Sequence, residues 1–210
     1  MADPFTDRLT PRARDIVSAA RALLEEEGPE ALTMRRLGDR LGIKAPSLYK
    51  HFPDKAAVES ELIALSLWET AEVLEAAEAA DPGSVPALAE AYRRHALAHP
   101  HLYRLTTERP LPRAALPPGL EYRAAAPLFR ACGGDEDLAR AAWAFAHGMV
   151  VLQLNGRFPD GADLTKAWET GAAAFQPETI HGPIDGGAVD LTYDAHVVNA
   201  APGTIRSDSA

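Results

Sequence analysis

Apolar side chains recur at helical spacing through most of the chain, and glycine and proline divide the pattern into separate helices. Ile16, Ala19, Ala20, Leu23 and Leu24 form one stripe. Thr10-Pro11 opens that helix as cap and first turn, and Gly28-Pro29 closes it. Leu37 and Leu41 repeat on a second segment, Gly42 breaks it, and Leu48 and Phe52 resume the spacing on a third. Two short helices joined by a tight turn make a helix-turn-helix over residues 33–55. Gly38 falls where these helices would cross. A side chain there would hold them apart, which justifies a helix-propensity loss of about 1 kcal/mol. Gly42 suits the reversal, because positive φ is easiest for glycine. Val58, Leu62, Leu65 and Trp68 carry the spacing from Asp54 to Ala80, where Asp81-Pro82-Gly83 ends it. A helix of about 25 residues spans about 37 Å.

The second half is also helical. Leu88, Ala91, Tyr92 and His95 share one face of a segment over 84–98, and Leu102, Tyr103 and Leu105 mark a shorter one over 100–107. Pro110, Pro112, Pro117 and Pro118 are too crowded for a regular element, so 108–118 is a loop, long enough to serve as a lid beside a pocket. A helix over 121–132 contains Pro127, which kinks it. The helix over 135–155 is apolar on nearly every side, with Leu138, Ala142, Phe145, Ala146, Met149, Val150 and Leu152, and so packs its own core on one side and a twin chain on the other. A last helix over 162–175 joins it in a four-helix dimer bundle. In the tail over 176–210, Gly182, Pro183, Gly186 and Gly187 exclude a helix. Residues 188–198 alternate with strand period, and the tail is loosely packed or disordered. The fold class is therefore all-α. A three-helix N-terminal domain covers 1–55, beginning with a short arm over 1–9, and a helical bundle covers 56–175.

Charge singles out the helix-turn-helix. It holds six basic and two acidic residues, net +4, within a chain of net −9. The first 55 residues carry ten basic and nine acidic groups, and the remainder eleven and twenty-one. An acidic body repels a polyanion, so only the basic end can dock on one. Lys44 stands at the start of the second helix of the pair, where a small polar cap would serve better and the helix dipole disfavours a cation, which points to an anionic partner at that spot. Surface helix pairs also carry charge without binding anything. The single cysteine, Cys132, fits a reducing compartment and an inert structural thiol. There is no long apolar run and no secretory leader pattern, so a cytoplasmic, membrane-free protein is expected.

The run Leu48-Tyr49-Lys50-His51-Phe52-Pro53-Asp54-Lys55 resembles the LYxHFxxK signature of TetR-type repressors. That resemblance implies a second helix lying in the major groove of double-stranded DNA. It implies phosphate contacts from Tyr49, His51, Lys55 and the Thr33 hydroxyl. Arg35, Lys44, Ala45, Pro46, Ser47 and Lys50 would face bases or their flanking phosphates. Lys44 in place of a small polar cap and the apolar Ala45 leave base reading to few side chains and a thymine methyl contact. The segment from Trp143 through His147-Gly148 to Phe158, with Ala98-His99-Pro100-His101-Leu102-Tyr103 before it, is similar to the WHG-type C-terminal domain of some TetR-family regulators. It implies a dimerising domain that senses a small molecule. Tyr92, His95, Leu102, Tyr103, Phe129, Trp143 and His147 are the candidate ligand contacts, each also readable as core.

His95 and His99 stand four apart on a helix with His101 close behind, a spacing compatible with zinc. The sequence supplies no companion Cys or carboxylate cluster and Pro100 interrupts the geometry, so no metal and no cofactor is expected. No nucleophile elbow, paired acids, P-loop or dinucleotide fingerprint occurs, which disfavours an enzyme. The function expected is a homodimeric repressor of a palindromic operator, released by a small molecule. An activator or a non-specific DNA-binding protein of the same fold is the alternative, with a small helical enzyme behind both.

Overall fold

The computed structural model describes residues 8–177, which form nine α-helices and no strand. In chain order they are α1 (Pro11–Glu27), α2 (Met34–Arg40), α3 (Ala45–Leu48), α4 (Lys55–Ala80), α5 (Val85–Ala98), α6 (Pro100–Thr107), α7 (Leu120–Ala131), α8 (Glu136–Leu154) and α9 (Thr165–Ala173). Local chemistry fixes most of the starts. Thr10 Oγ1 accepts from the Ala13 N–H at 3.2 Å, Asp54 Oδ1 from Ala57 at 2.8 Å and Ser84 Oγ from Ala87 at 3.2 Å. Asp135 Oδ1 accepts from both Asp137 and Leu138, at 2.9 and 3.0 Å. Each satisfies a donor that a helix end otherwise leaves bare.

Two hydrophobic clusters organise these helices. The first joins Ile16, Leu23 and Leu24 of α1 to Leu37 of α2, Leu48 of α3, Val58 and Leu62 of α4, and Leu102 and Leu105 of α6. The second joins Leu74 of α4, Leu88 and Ala96 of α5, Tyr103 of α6, Ala142, Ala146 and Val150 of α8, and Trp168 of α9. Helix α4 runs through both and packs on α1, α5, α6 and α7. Beside α7 it is held by charge: Arg123 Nε meets Glu75 at 2.7 Å, Arg130 Nε meets Glu78 at 2.7 Å, and the Arg123 guanidinium lies 3.9 Å from the Trp68 ring centroid.

The predicted helices are present with three differences. The second helix of the helix-turn-helix pair is a single regular turn, after which Tyr49 to His51 continue as turns closed by His51 and Phe52 N–H groups on the Leu48 carbonyl, at 2.9 and 3.0 Å. The last helix starts at Thr165 rather than 162, because Pro159 to Ala162 form a turn and Asp163 Oδ1 then accepts from the Thr165 N–H at 2.9 Å, fixing the start there. The proline loop holds a 3₁₀ turn, Arg113–Ala115, and its Leu111 and Leu116 pack against the first cluster, so it lies over the N-terminal half and away from the second cluster. Gln176, assigned to the loose tail from sequence, belongs to the body: its Oε1 accepts from the Val85 N–H at 2.9 Å and its Nε2 donates to the Gly83 carbonyl at 2.8 Å. The possible strand at 188–198 and most of the N-terminal arm lie outside the described residues. No helix among the described residues is long and apolar enough to cross a membrane.

Candidate nucleic-acid interface and ligand chamber

Helices α2 and α3 meet at Gly38. A Cβ there would stand 2.9 Å from the Ile43 carbonyl oxygen and 3.2 Å from the Ala45 nitrogen, so the contact admits glycine alone without a backbone shift. Gly42 takes φ +66° at the reversal. With Leu37, Leu48 and Phe52 buried beneath, the opposite faces of the pair are turned to solvent. Thr33, Arg35, Lys44, Pro46, Tyr49, Lys50 and His51 are exposed, Tyr49 by 51%, while Ala45, Ser47 and Lys55 are half-buried. The structure thus brings all ten predicted interface residues onto the helix-turn-helix and its flank. Thr33 caps α2 by accepting from the Arg36 N–H at 3.2 Å, which leaves its own O–H to donate. Lys44 caps α3 with no side-chain hydrogen bond.

The six cations of this region divide into two groups. Arg36 pairs with Glu27, Arg40 grips Glu26 through two bonds of 2.7 Å, and Lys55 pairs with Glu59 at 3.3 Å. Arg35, Lys44 and Lys50 have no carboxylate within ion-pair distance among the described residues. Glutamates of α1 and α4 therefore neutralise the rear of the motif, and the positive charge left over faces outward with Tyr49.

In the body, four predicted ligand contacts lie together. Tyr92 and Tyr103 hydroxyls are 3.1 Å apart, Tyr103 Oη lies 2.6 Å from His147 Nδ1, and the Trp143 ring stacks on His147 at 5.5 Å between centroids. Burial is the main cause that raises Tyr103 above its ordinary range, with Tyr92 adding to it, and burial lowers His147 against the pull of Glu108. Both groups are neutral near pH 7. An imidazole protonated at Nε2 then accepts from Tyr103 and fixes the direction of the chain. With Tyr92 and Tyr103, His95 lines a small hollow of about 10 Å³ that Ser66, Thr70, Ala96 and His99 complete. Burial, then the neighbouring His99 and Arg21, pushes His95 down to about 4.

Two other candidates are placed elsewhere. Leu102 is fully buried in the first cluster, facing away from its neighbour Tyr103, and Phe129 stands at the α7–α8 turn, where its Cζ is 3.7 Å from a Cβ built on Gly134. His101, which sequence grouped with His95 and His99, has its ring against Gly28 instead.

Residues 16–62 match the family described as bacterial regulatory proteins, tetR family, and residues 85–175 match the tetracyclin repressor-like C-terminal domain. The HTH-type transcriptional regulator Rv0681 of Mycobacterium tuberculosis is 31% identical over 184 residues, covering 80% of this chain and 83% of that protein. The chain belongs to the TetR family. Its members are transcriptional regulators and not enzymes; they bind DNA and small-molecule ligands, typically as dimers. A tetracycline repressor protein of class A from Escherichia coli is 43% identical over 54 residues, which are 26% of this chain and 25% of that one. Two solved structures share the fold: a protein from Rhodococcus sp. RHA1 (TM-score 0.67, 23% identity, 79% of this chain and 94% of that one) and a TetR variant from Acinetobacter baumannii in complex with minocycline (TM-score 0.53, 21% identity, 76% and 93%).

Against the TetR-family frame, sequence reasoning missed Arg21 and Glu69. Arg21 of α1 holds Glu69 of α4 through both oxygens, one bond at 2.9 Å, and Glu69 stands beside His95 and His99 of α5. Helical spacing relates residues of one helix and says nothing about a carboxylate 26 positions earlier on another, so no local signal could have found it.

Proposed function

We propose that the protein is a cytoplasmic, homodimeric, ligand-responsive transcriptional repressor, with a DNA reader over 1–55 and a sensing and dimerising body over 56–175. The observation that carries this reading is the outward face on which Arg35, Lys44 and Lys50 have no carboxylate partner among the described residues while Tyr49 and His51 lie exposed beside them. In the proposed complex Thr33, Tyr49, His51 and Lys55 hold phosphates, and Arg35, Lys44, Ala45, Pro46, Ser47 and Lys50 meet bases or the phosphates flanking them. Lys55 must leave Glu59 to do so, and Arg109, 3.4 Å from the same carboxylate, stays to hold it.

Support for a second copy comes from α8 and α9. Ala141, Ala144, Gly148, Val151 and Leu152 fall within an arc of about 100° on α8, exposed or half-buried, and Ala167 on α9 and Ala174 just after it add to the small apolar surface. In this scheme that face packs on its own copy across a two-fold axis, and two readers so related call for a palindromic operator with half-sites about one turn apart. The effector of this scheme binds among Tyr92, His95, Tyr103, Trp143 and His147. Since the hollow holds only about 10 Å³, in this scheme the effector enters by displacing Trp143, which is 50% exposed and stacks on His147. Release from DNA requires tighter binding to the non-DNA form, with a coupling of about 1 to 3 kcal/mol.

Titration of the purified protein against its own upstream DNA at two salt concentrations tests the reading. Preference for that fragment over unrelated DNA and a steep salt dependence are expected. Lys55→Ala should weaken all sequences alike and lower the salt slope by about one, whereas Arg35→Ala should relax discrimination. Affinity that does not vary with sequence would replace the repressor with a non-specific DNA-binding protein, and a rise in transcription on binding would make it an activator.

A further inference from the structure

We propose that Glu69, His95 and His99 form a site for a divalent transition-metal ion, with two imidazole nitrogens and one carboxylate oxygen as ligands and the Arg21 guanidinium as the cation that the ion displaces. One ligand atom from each of the three side chains lies within 4.8 Å of the others, and all three residues are half-buried. Tetrahedral ligands about 2.0 to 2.2 Å from zinc stand about 3.3 Å from one another, so small side-chain rotations close the set. Two histidines and one carboxylate suit zinc and its neighbours in the series far better than calcium or magnesium, which prefer oxygen throughout.

The surroundings favour an ion as well. The His95 and His99 rings meet edge to face at 5.2 Å between centroids, four residues apart at the end of α5, so both project to the same side. The hollow they share with Ser66 and Thr70 has about 10 Å³ of room, on the order of one water, so a single ion held by these side chains enters without rebuilding it. Glu69 already holds a cation, since Arg21 binds both its oxygens. A doubly charged ion at the imidazoles competes for that carboxylate and repels the guanidinium. Arg21 lies on α1 and Glu69 on α4, so loading the site undoes a tie between the reader's first helix and the helix that leads into the body. This last consequence rests on the DNA-binding reading above; the metal site itself does not.

The full chain, stripped with a chelator, is titrated with Co²⁺ while its visible ligand-field absorption is followed, and then with Zn²⁺ as competitor. Saturation at one Co²⁺ per chain, reversed by Zn²⁺, is expected. The doubly substituted His95→Ala, His99→Ala chain should bind at least about 100-fold more weakly, given that even outer-shell partners cost about 10- to 100-fold. Arg21→Gln should bind more tightly, up to about fivefold, because the competing cation is gone; a residue with a merely structural role would not do this. Absence of saturable absorption, or an unchanged titration in a double variant whose helix content is intact, overturns the site. Affinity for upstream DNA is then measured with and without Zn²⁺, and weaker binding by the loaded form is expected. Metal binding with unaltered DNA affinity overturns the coupling alone, and no DNA binding in either form overturns the regulator reading while the site stands.

Discussion

Alanine at position 38 should leave the protein folded and remove most of its affinity for DNA. The added methyl stands 2.9 Å from the Ile43 carbonyl oxygen and 3.2 Å from the Ala45 nitrogen, both backbone atoms that cannot swing aside as a side chain could. Overpacking of this kind costs about 1 to 3 kcal/mol, and the helix recovers about 1 kcal/mol from alanine's better propensity. At about 2 to 4 °C per kcal/mol for a chain of this size, the melting temperature moves by only a few degrees. DNA binding has no such compensation. Thr33 and Arg35 belong to α2 and its cap, whereas Lys44, Ala45, Ser47 and Lys50 belong to α3 and its flanks, and a wedge between the helices changes the spacing between the two sets. Losing two contacts of about 1 to 3 kcal/mol each weakens binding about 30-fold or more. Thermal melting and a DNA titration by fluorescence anisotropy, run on one preparation, separate the two effects. DNA affinity equal to that of the parent chain would mean that the α2–α3 approach does not set the reading surface.

The second large effect is expected at Leu102. Its side chain is fully buried in the first cluster, and Leu102→Ala should cost about 2 to 5 kcal/mol. The melting temperature should fall by about 4 to 20 °C. Leu102→Met keeps the volume and should cost less than about 1.5 kcal/mol. If Leu102→Ala instead kept its melting temperature and lost affinity for a small molecule, the side chain would line the chamber, as its sequence neighbourhood implied.

Leu102 also shows where sequence reading stops. Most helices were legible because their ends carry strong local chemistry: Thr10 with Pro11, Thr33, Asp54, Ser84 and Asp135 all act as side-chain caps in the structure. Where the cap is less regular, boundaries slipped, as at the start of α9, where the residue before the helix is Leu164 and the acceptor for the Thr165 N–H is Asp163, one position further back. The reader was legible for a further reason, since Gly38, Gly42 and the run from Leu48 to Lys55 all lie within a few turns of one another. The chamber was legible only in part. Tyr92, Tyr103, Trp143 and His147 do converge, but on so short a helix as α6 nothing in the pattern says that Leu102 and Tyr103 face different cores. The partners of Arg21 and Glu25 lie 48 and 77 residues away, beyond any periodicity.

Glu25 of α1 accepts from the Leu102 N–H at 2.9 Å, so α6 is tethered to the reader by its backbone as well as by its leucines. This short rod is about 12 Å long at 1.5 Å per residue, and it is seated in both cores: Leu102 and Leu105 in one, Tyr103 in the other. If the proposed guest molecule parts Tyr103 from His147 and so shifts α6 against α1, reciprocity requires that DNA change the affinity for the guest by the same factor as the guest changes the affinity for DNA.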